Sequence, residues 1–78
     1  MIVIYGKEDC TYCVQAVQLC ESKGLDYDYK SMGKHYEREE LIDKISGEFG
    51  VIPRSMPQIV QDGSYVGGFR ELKEKLAA

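Results

Sequence analysis

Long apolar runs are missing from this chain. The longest, Met1–Tyr5, falls far short of the about 18–20 residues that cross a bilayer as a helix, so no membrane span is expected. The apolar start passes directly from Tyr5 into Gly6-Lys7-Glu8-Asp9. That order is the reverse of a secretory leader, in which a basic start precedes a longer apolar stretch, and it makes a cytoplasmic location the expectation. Basic residues are in the minority, ten against thirteen acidic for a formal charge of -3. Signs are interspersed apart from the acidic Glu37, Glu39 and Glu40, which excludes the clustered Lys and Arg of a nucleic-acid surface. Cysteine is scarce and odd in number, three in all, which does not suit the disulfide framework of a small secreted domain. Internal repeats and low-complexity tracts are absent as well, so one site must serve the whole chain.

The 78 residues amount to about half of the roughly 150 that a domain commonly takes, so residues 1–78 are read as one domain around one core. With 44% hydrophobic and 29% charged residues, the chain has the composition of a folded globule. Ile2–Tyr5 is a β-branched and aromatic run ended by Gly6, read as a strand buried on both faces. Cys13, Ala16, Val17 and Cys20 recur at spacings of three and four, with Val14 and Leu19 widening the stripe. They predict an amphipathic helix over 11–23, stopped by Gly24. Leu25, Tyr27 and Tyr29 alternate with polar residues through Lys30 as in a strand with one wet face. Leu41, Ile42 and Ile45 predict a second helix over 36–46, with Arg38 on its outer side and Gly47 or Gly50 as its breaker. The segments 57–61 and 64–66 flank Asp62-Gly63, a strong hairpin signal. Pro57 is expected to open an edge strand. Phe69, Leu72 and Leu76 predict a closing helix. The order is β-α-β-α-β-β-α, an α/β fold with a four-stranded mixed sheet and three helices, the first two strands parallel and the last two antiparallel.

Cys10-Thr11-Tyr12-Cys13 follows the first strand and opens the first helix, the setting in which a Cys-x-x-Cys spacing becomes a redox motif. The helix start offers unpaired N–H groups and a positive dipole end to Cys10, favouring its thiolate, while Cys13 lies one turn inward. Cys10 is therefore read as the nucleophile and Cys13 as the resolving thiol. Lys7 favours the thiolate and suits an anionic substrate group, while Glu8 and Asp9 oppose the thiolate. A zinc site using Cys10, Cys13, Cys20 and His35 is disfavoured, because Cys20 lies about 10 Å along the helix from Cys13. Cys20 is read as a small buried hydrophobe and His35 as a solvated loop histidine.

Three motifs in order carry a resemblance: Lys7-x-x-Cys10-x-Tyr12-Cys13, Ser55-Met56-Pro57-Gln58-Ile59, and Asp62-Gly63-x-x-Val66-Gly67-Gly68-Phe69. With them the chain resembles, from end to end, a short glutaredoxin of the kind carried by bacteria and their phages. The resemblance implies a thioredoxin-like fold, a cis Met56–Pro57 bond, and a monomer that reduces disulfides with electrons from glutathione. Ribonucleotide reductase is a protein substrate it suggests. It also implies that Met56 pairs through its backbone with the cysteinyl unit of glutathione, with Ser55 and Pro57 beside it, and that Thr11 and Tyr12 flank the sulfur. Lys7 and Arg54 or Gln58 would meet the glycyl carboxylate, and Gly68, Phe69, Arg70 and Glu71 the γ-glutamyl end.

The chain departs from the family's commonest pattern at three places: Thr11 replaces proline, Ser55-Met56-Pro57 replaces Thr-Val-Pro, and Phe69-Arg70-Glu71 follows the double glycine where an aspartate is usual. Glu71 then stands in for that aspartate toward the γ-glutamyl ammonium. Two alternatives follow. Gly68-Phe69-Arg70 resembles redoxins fed by thioredoxin reductase, and Thr11 resembles glutaredoxins that hold a [2Fe–2S] cluster between two monomers on Cys10 and two glutathione thiols.

Overall fold

The computed structural model describes residues 1–77; Ala78, the last residue of the expected domain, lies outside them. Seven elements follow one another: β1 (Ile2–Gly6), α1 (Thr11–Ser22), β2 (Tyr27–Ser31), α2 (Arg38–Phe49), β3 (Gln58–Gln61), β4 (Ser64–Gly67) and α3 (Phe69–Ala77). The strands form one sheet in the order β2-β1-β3-β4. β1 runs parallel to β2 and antiparallel to β3, and β3 runs antiparallel to β4. The expected order and mixed four-stranded sheet are thus observed, and the Met56–Pro57 bond is cis.

Alternation along β1 builds two cores. Ile2 and Ile4 face α1 and α3 together with Ala16, Cys20, Ile59 and Leu72. Tyr5, one residue out of phase, faces α2 with Leu41, Ile45 and Val60, and Val3 packs on that cluster. The period of two along a strand sends successive side chains to opposite faces, so a sheet covered on both faces needs apolar residues at nearly every position of its central strands. β1 and β3 meet that need.

Four local expectations need correction. β3 is an interior strand, so Pro57 does not open an edge; pairing starts one residue later, at Tyr5 with Gln58, and the proline's missing N–H falls outside the ladder. The second helix runs later than the apolar spacing suggests, over Arg38–Phe49; of its two expected breakers Gly50, with φ of 69°, caps it, while Gly47 stays inside the helix. The second strand starts at Tyr27 and runs to Ser31; Leu25 precedes it and packs against the core from the connecting turn. Val14 is 54% exposed and does not widen the apolar stripe of α1; Val17 and Leu19 pack against the core beside the buried Cys13, Ala16 and Cys20. No helix among the described residues is long and apolar enough to cross a membrane.

Candidate active site

Cys10 occupies the N-cap position of α1, with extended backbone, and its Sγ accepts a hydrogen bond from the Cys13 N–H at 3.2 Å. The cap follows a tight turn in which Asp9 adopts φ 52°, a left-handed conformation that aspartate tolerates better than most residues. Cys10 and Cys13 are joined as a disulfide, with Cα atoms 5.2 Å apart. Cys10 is half-buried and Cys13 has no exposed surface. Their unequal access follows from the helix: residue one borders solvent at the cap, and the residue three later turns into the core. An approaching thiol or disulfide can reach only Cys10.

Cys20 remains a free buried thiol, and burial together with the neighbouring Glu21 pushes its pKa up. No group of three or more His, Cys, Asp or Glu among the described residues is placed to share a metal ion. His35 is exposed, and its Nδ1 accepts the Ser31 N–H at 2.9 Å.

Two grooves meet at Ser55 and Met56. The first, of about 330 Å³, is lined by Lys7, Arg54 and Arg38 around Met32, Leu41, Ile42 and Pro53. The second, of about 400 Å³, is lined by Tyr12, Pro57, Gly68, Phe69, Arg70, Glu71 and Lys73. Tyr12 is 60% exposed and stacks on Phe69, with ring centroids 6.0 Å apart and planes inclined by 24°. This pair joins the starts of α1 and α3 across the second groove. Thr11 is exposed at the start of α1 and lines neither groove.

Of the residues singled out from the sequence, Gln58 is placed differently from its expected role. It is 3% exposed. Its Nε2 donates to the Ser55 carbonyl at 2.7 Å, and its Oε1 accepts the Tyr65 hydroxyl at 2.6 Å. The amide is therefore spent on tying the 55–57 turn to β4 and is not turned toward an incoming carboxylate. Burial pushes the Tyr65 pKa up, the nearby Glu71 adds to this, and the bond to Gln58 works against it.

Arg38 and Lys73 were not singled out. No motif marks them, since each is an exposed cation on a helix, and only the packing of α2 and α3 brings them to the grooves. The Lys7 end of the first groove is also shaped from below. Tyr29 lies against Gly6, where any Cβ would overlap its ring. Its hydroxyl donates to the Lys7 carbonyl at 3.4 Å. The Tyr36 hydroxyl donates to the Gly6 carbonyl at 2.7 Å, and burial, ahead of the neighbouring tyrosines, raises its pKa to about 12.

Comparison with known proteins agrees with this arrangement. Residues 2–66 match the glutaredoxin family model. The chain is 38% identical over 72 residues to Glutaredoxin 3 of Escherichia coli, covering 91% of this chain and 80% of that protein. It is 37% identical over 70 residues to a glutaredoxin of Haemophilus influenzae, covering 86% and 79%. Among solved structures, Glutaredoxin 1 of Francisella tularensis, complexed with cacodylate, superposes with a TM-score of 0.83 at 31% identity, covering 97% of this chain and 91% of that one. A buckwheat glutaredoxin–glutathione complex shares the fold, with a TM-score of 0.80 at 21% identity over 97% of this chain and 67% of that one.

Proposed function

The chain belongs to the glutaredoxin family and is a thiol–disulfide oxidoreductase, and from that premise we propose that it reduces glutathione mixed disulfides and protein disulfides with glutathione as the electron donor. The observation that carries this is the asymmetry of the cysteine pair: a half-buried Cys10 capping α1 beside a wholly buried Cys13.

With a glutathionylated substrate, the Cys10 thiolate attacks the glutathionyl sulfur and the substrate leaves as a thiolate. A second glutathione thiolate then attacks the Cys10 mixed disulfide and departs as glutathione disulfide, returning Cys10 as thiolate. With a protein disulfide, Cys10 forms the mixed disulfide and Cys13 displaces the substrate thiol, leaving the Cys10–Cys13 disulfide for two glutathiones to reduce. The thiolate of Cys10 is helped by the Cys13 N–H and by the positive end of α1. Family couples near about -200 to -230 mV exchange electrons with the glutathione pool in either direction.

Glutathione runs across Ser55–Met56, its cysteinyl backbone against Met56 and its sulfur toward Cys10 under Tyr12. Its glycyl carboxylate lies toward Lys7 and Arg54, in the groove that Arg38 also lines. Its γ-glutamyl end lies toward Gly68, Phe69, Arg70 and Glu71. A buckwheat glutaredoxin of the same fold is described as a glutathione complex, which supports glutathione as the ligand class. Protein disulfides such as that of ribonucleotide reductase, reduced by the monomer in the cytoplasm, are the substrates the family resemblance suggests. Thr11, standing where the family's commonest active site has proline, also suggests the glutathione-ligated [2Fe–2S] cluster of some family members. There Cys10 of each of two chains and two glutathione thiols would be the ligands and the protein a cluster carrier or scaffold; anaerobic reconstitution that stays colourless excludes it.

The test is reduction of a small glutathione mixed disulfide, coupled to NADPH through glutathione reductase. Cys10→Ser abolishes turnover, Cys13→Ser retains it for the mixed disulfide and loses it for protein disulfides. If wild type is inert in this assay but active with thioredoxin reductase, the donor is the other system and the glutathione reading fails.

A further inference from the structure

The two grooves share Ser55 and Met56 as a common wall and form one trough past Cys10, since Lys7 and Tyr12, which bracket that cysteine in the chain, line one groove each. Its charge is one-sided. Lys7, Arg38 and Arg54 line the first groove, and Arg70 and Lys73 the second. Five of the ten basic residues therefore stand there, every arginine of the chain among them. All five are exposed, and none forms an ion pair among the described residues. Of the thirteen acidic residues, Glu71 alone lines either groove, and its Oε1 accepts the Gly68 N–H at 2.8 Å. The acidic Glu37, Glu39 and Glu40 line neither. A chain of formal charge -3 thus sets five cations against one carboxylate along the path to its reactive thiol.

Glutathione, with two carboxylates and one ammonium group, brings a net single negative charge and leaves most of this positive charge unanswered. Arginine is also the cation best shaped to hold a carboxylate by two hydrogen bonds. Between the cations the trough is apolar, with Met32, Leu41, Ile42 and Pro53 in the first groove and the stacked Tyr12 and Phe69 in the second. We propose that the trough is a docking surface for the acidic segment that flanks the disulfide of a protein substrate, with carboxylates on both sides of the attacked cysteine and a large apolar side chain on Leu41 and Ile42. This inference rests on the protein-disulfide reading above and names its substrate class. The Cys10 thiolate attacks one sulfur of that disulfide and the other sulfur leaves as a thiolate. Cys13 then displaces the first, so the substrate gains two electrons as the Cys10–Cys13 disulfide forms. Cations spread along the approach speed the encounter with an acidic segment, hold it in register and disfavour a basic one.

The probes are three otherwise identical peptides, each closed by one intramolecular disulfide and flanked on both sides by leucine and by aspartate, asparagine or lysine. Their single-turnover reduction by the fully reduced protein is followed at low and high salt. Each rate is divided by that of the same peptide with dithiothreitol, which removes the effect of the flanking charge on the disulfide itself. The expected order is acidic, neutral, basic, with about tenfold to a hundredfold between the extremes at low salt and a much smaller span at high salt. Arg38→Glu and Lys73→Glu, each checked for folding by thermal unfolding, slow the acidic peptide about threefold to tenfold and speed the basic one. Lys23→Glu makes the same charge change at the exposed C-cap of α1, outside both grooves, and alters neither rate by more than about twofold. Normalised rates within about twofold of one another for the three peptides overturn the proposal, as does a Lys23→Glu effect as large as that of Arg38→Glu. A reduced protein that leaves all three peptides oxidised overturns it together with the protein-disulfide reading. No glutathione is present in these reactions, so failure of the glutathione reading is scored separately, in the coupled assay.

Discussion

Gln58 offers the sharpest test of how the site is held, because its side chain is buried and both ends are used. Replacing it with leucine conserves much of the volume and deletes the bonds to the Ser55 carbonyl and the Tyr65 hydroxyl. A net hydrogen bond contributes about 1 kcal/mol, and a buried partner left unsatisfied costs about 1–3 kcal/mol. Ser55 is exposed and Tyr65 half-buried, so both orphaned groups regain some contact with water and the expected loss is about 2 kcal/mol. For a chain of this size that lowers Tm by about 8–16 °C. Tyr65→Phe leaves the Gln58 Oε1 unpartnered and costs about 1–2 kcal/mol.

If the two residues act through one bond, the double variant loses less than the sum, with a coupling of about 1 kcal/mol. Urea midpoints at unchanged m-value measure all three. Because Gln58 anchors the turn that separates the two grooves, the leucine variant also loses about tenfold in kcat/KM toward a glutathione mixed disulfide, the scale of a small misplacement of a positioning element. Additive effects within about 0.3 kcal/mol, or a leucine variant within about 0.5 kcal/mol of wild type, would refute the reasoning.

Tyr36 sets an alkaline limit. Its folded pKa of about 12 stands above the unfolded value of 10.0, so the stability it contributes is complete below the unfolded value and is lost as pH rises through the folded one. Tyr36→Phe should flatten that limb of the stability profile, and tyrosinate absorbance locates the transition; an unaltered limb rejects the assignment. Gly6→Ala should cost about 1–3 kcal/mol, because the new methyl overlaps the Tyr29 ring, and thermal melts of the single variant and of its combination with Tyr29→Leu, which relieves the overlap, check this. Tyr12→Ala should change stability by less than about 0.5 kcal/mol, since the ring is 60% exposed, yet raise KM for glutathione mixed disulfides several-fold, an expectation that fails if steady-state kinetics match wild type.

Legibility in the sequence followed locality. The Cys-x-x-Cys spacing, the cap position of Cys10, the Asp62-Gly63 hairpin and the continuous apolar run of β1 are all statements about neighbours within a turn or a strand, and each is encoded locally. The end of α2 was less legible because Gly47 and Gly50 are equivalent in composition; the helix continues through Gly47 while Phe49 still packs against Tyr65, and it stops where the backbone turns left-handed at Gly50. Pro57 was misread for a related reason. A proline is excluded from a paired interior position, but one residue earlier it is harmless, and no local signal distinguishes the two.

The sequence by itself determined which elements form, in what order, and which thiol stands at a helix start, because periodicity, caps and turn residues act over a few positions. Tertiary structure alone decided that Arg38 from α2 reaches the groove of Lys7 and Arg54, that Gln58 is spent inside the protein, and that Tyr12 meets Phe69 across the site. These are relations between residues distant in the chain, set by the order of strands in the sheet and by which face each helix covers, and the free energy that selects them comes from burying both faces of β1 and β3 at once.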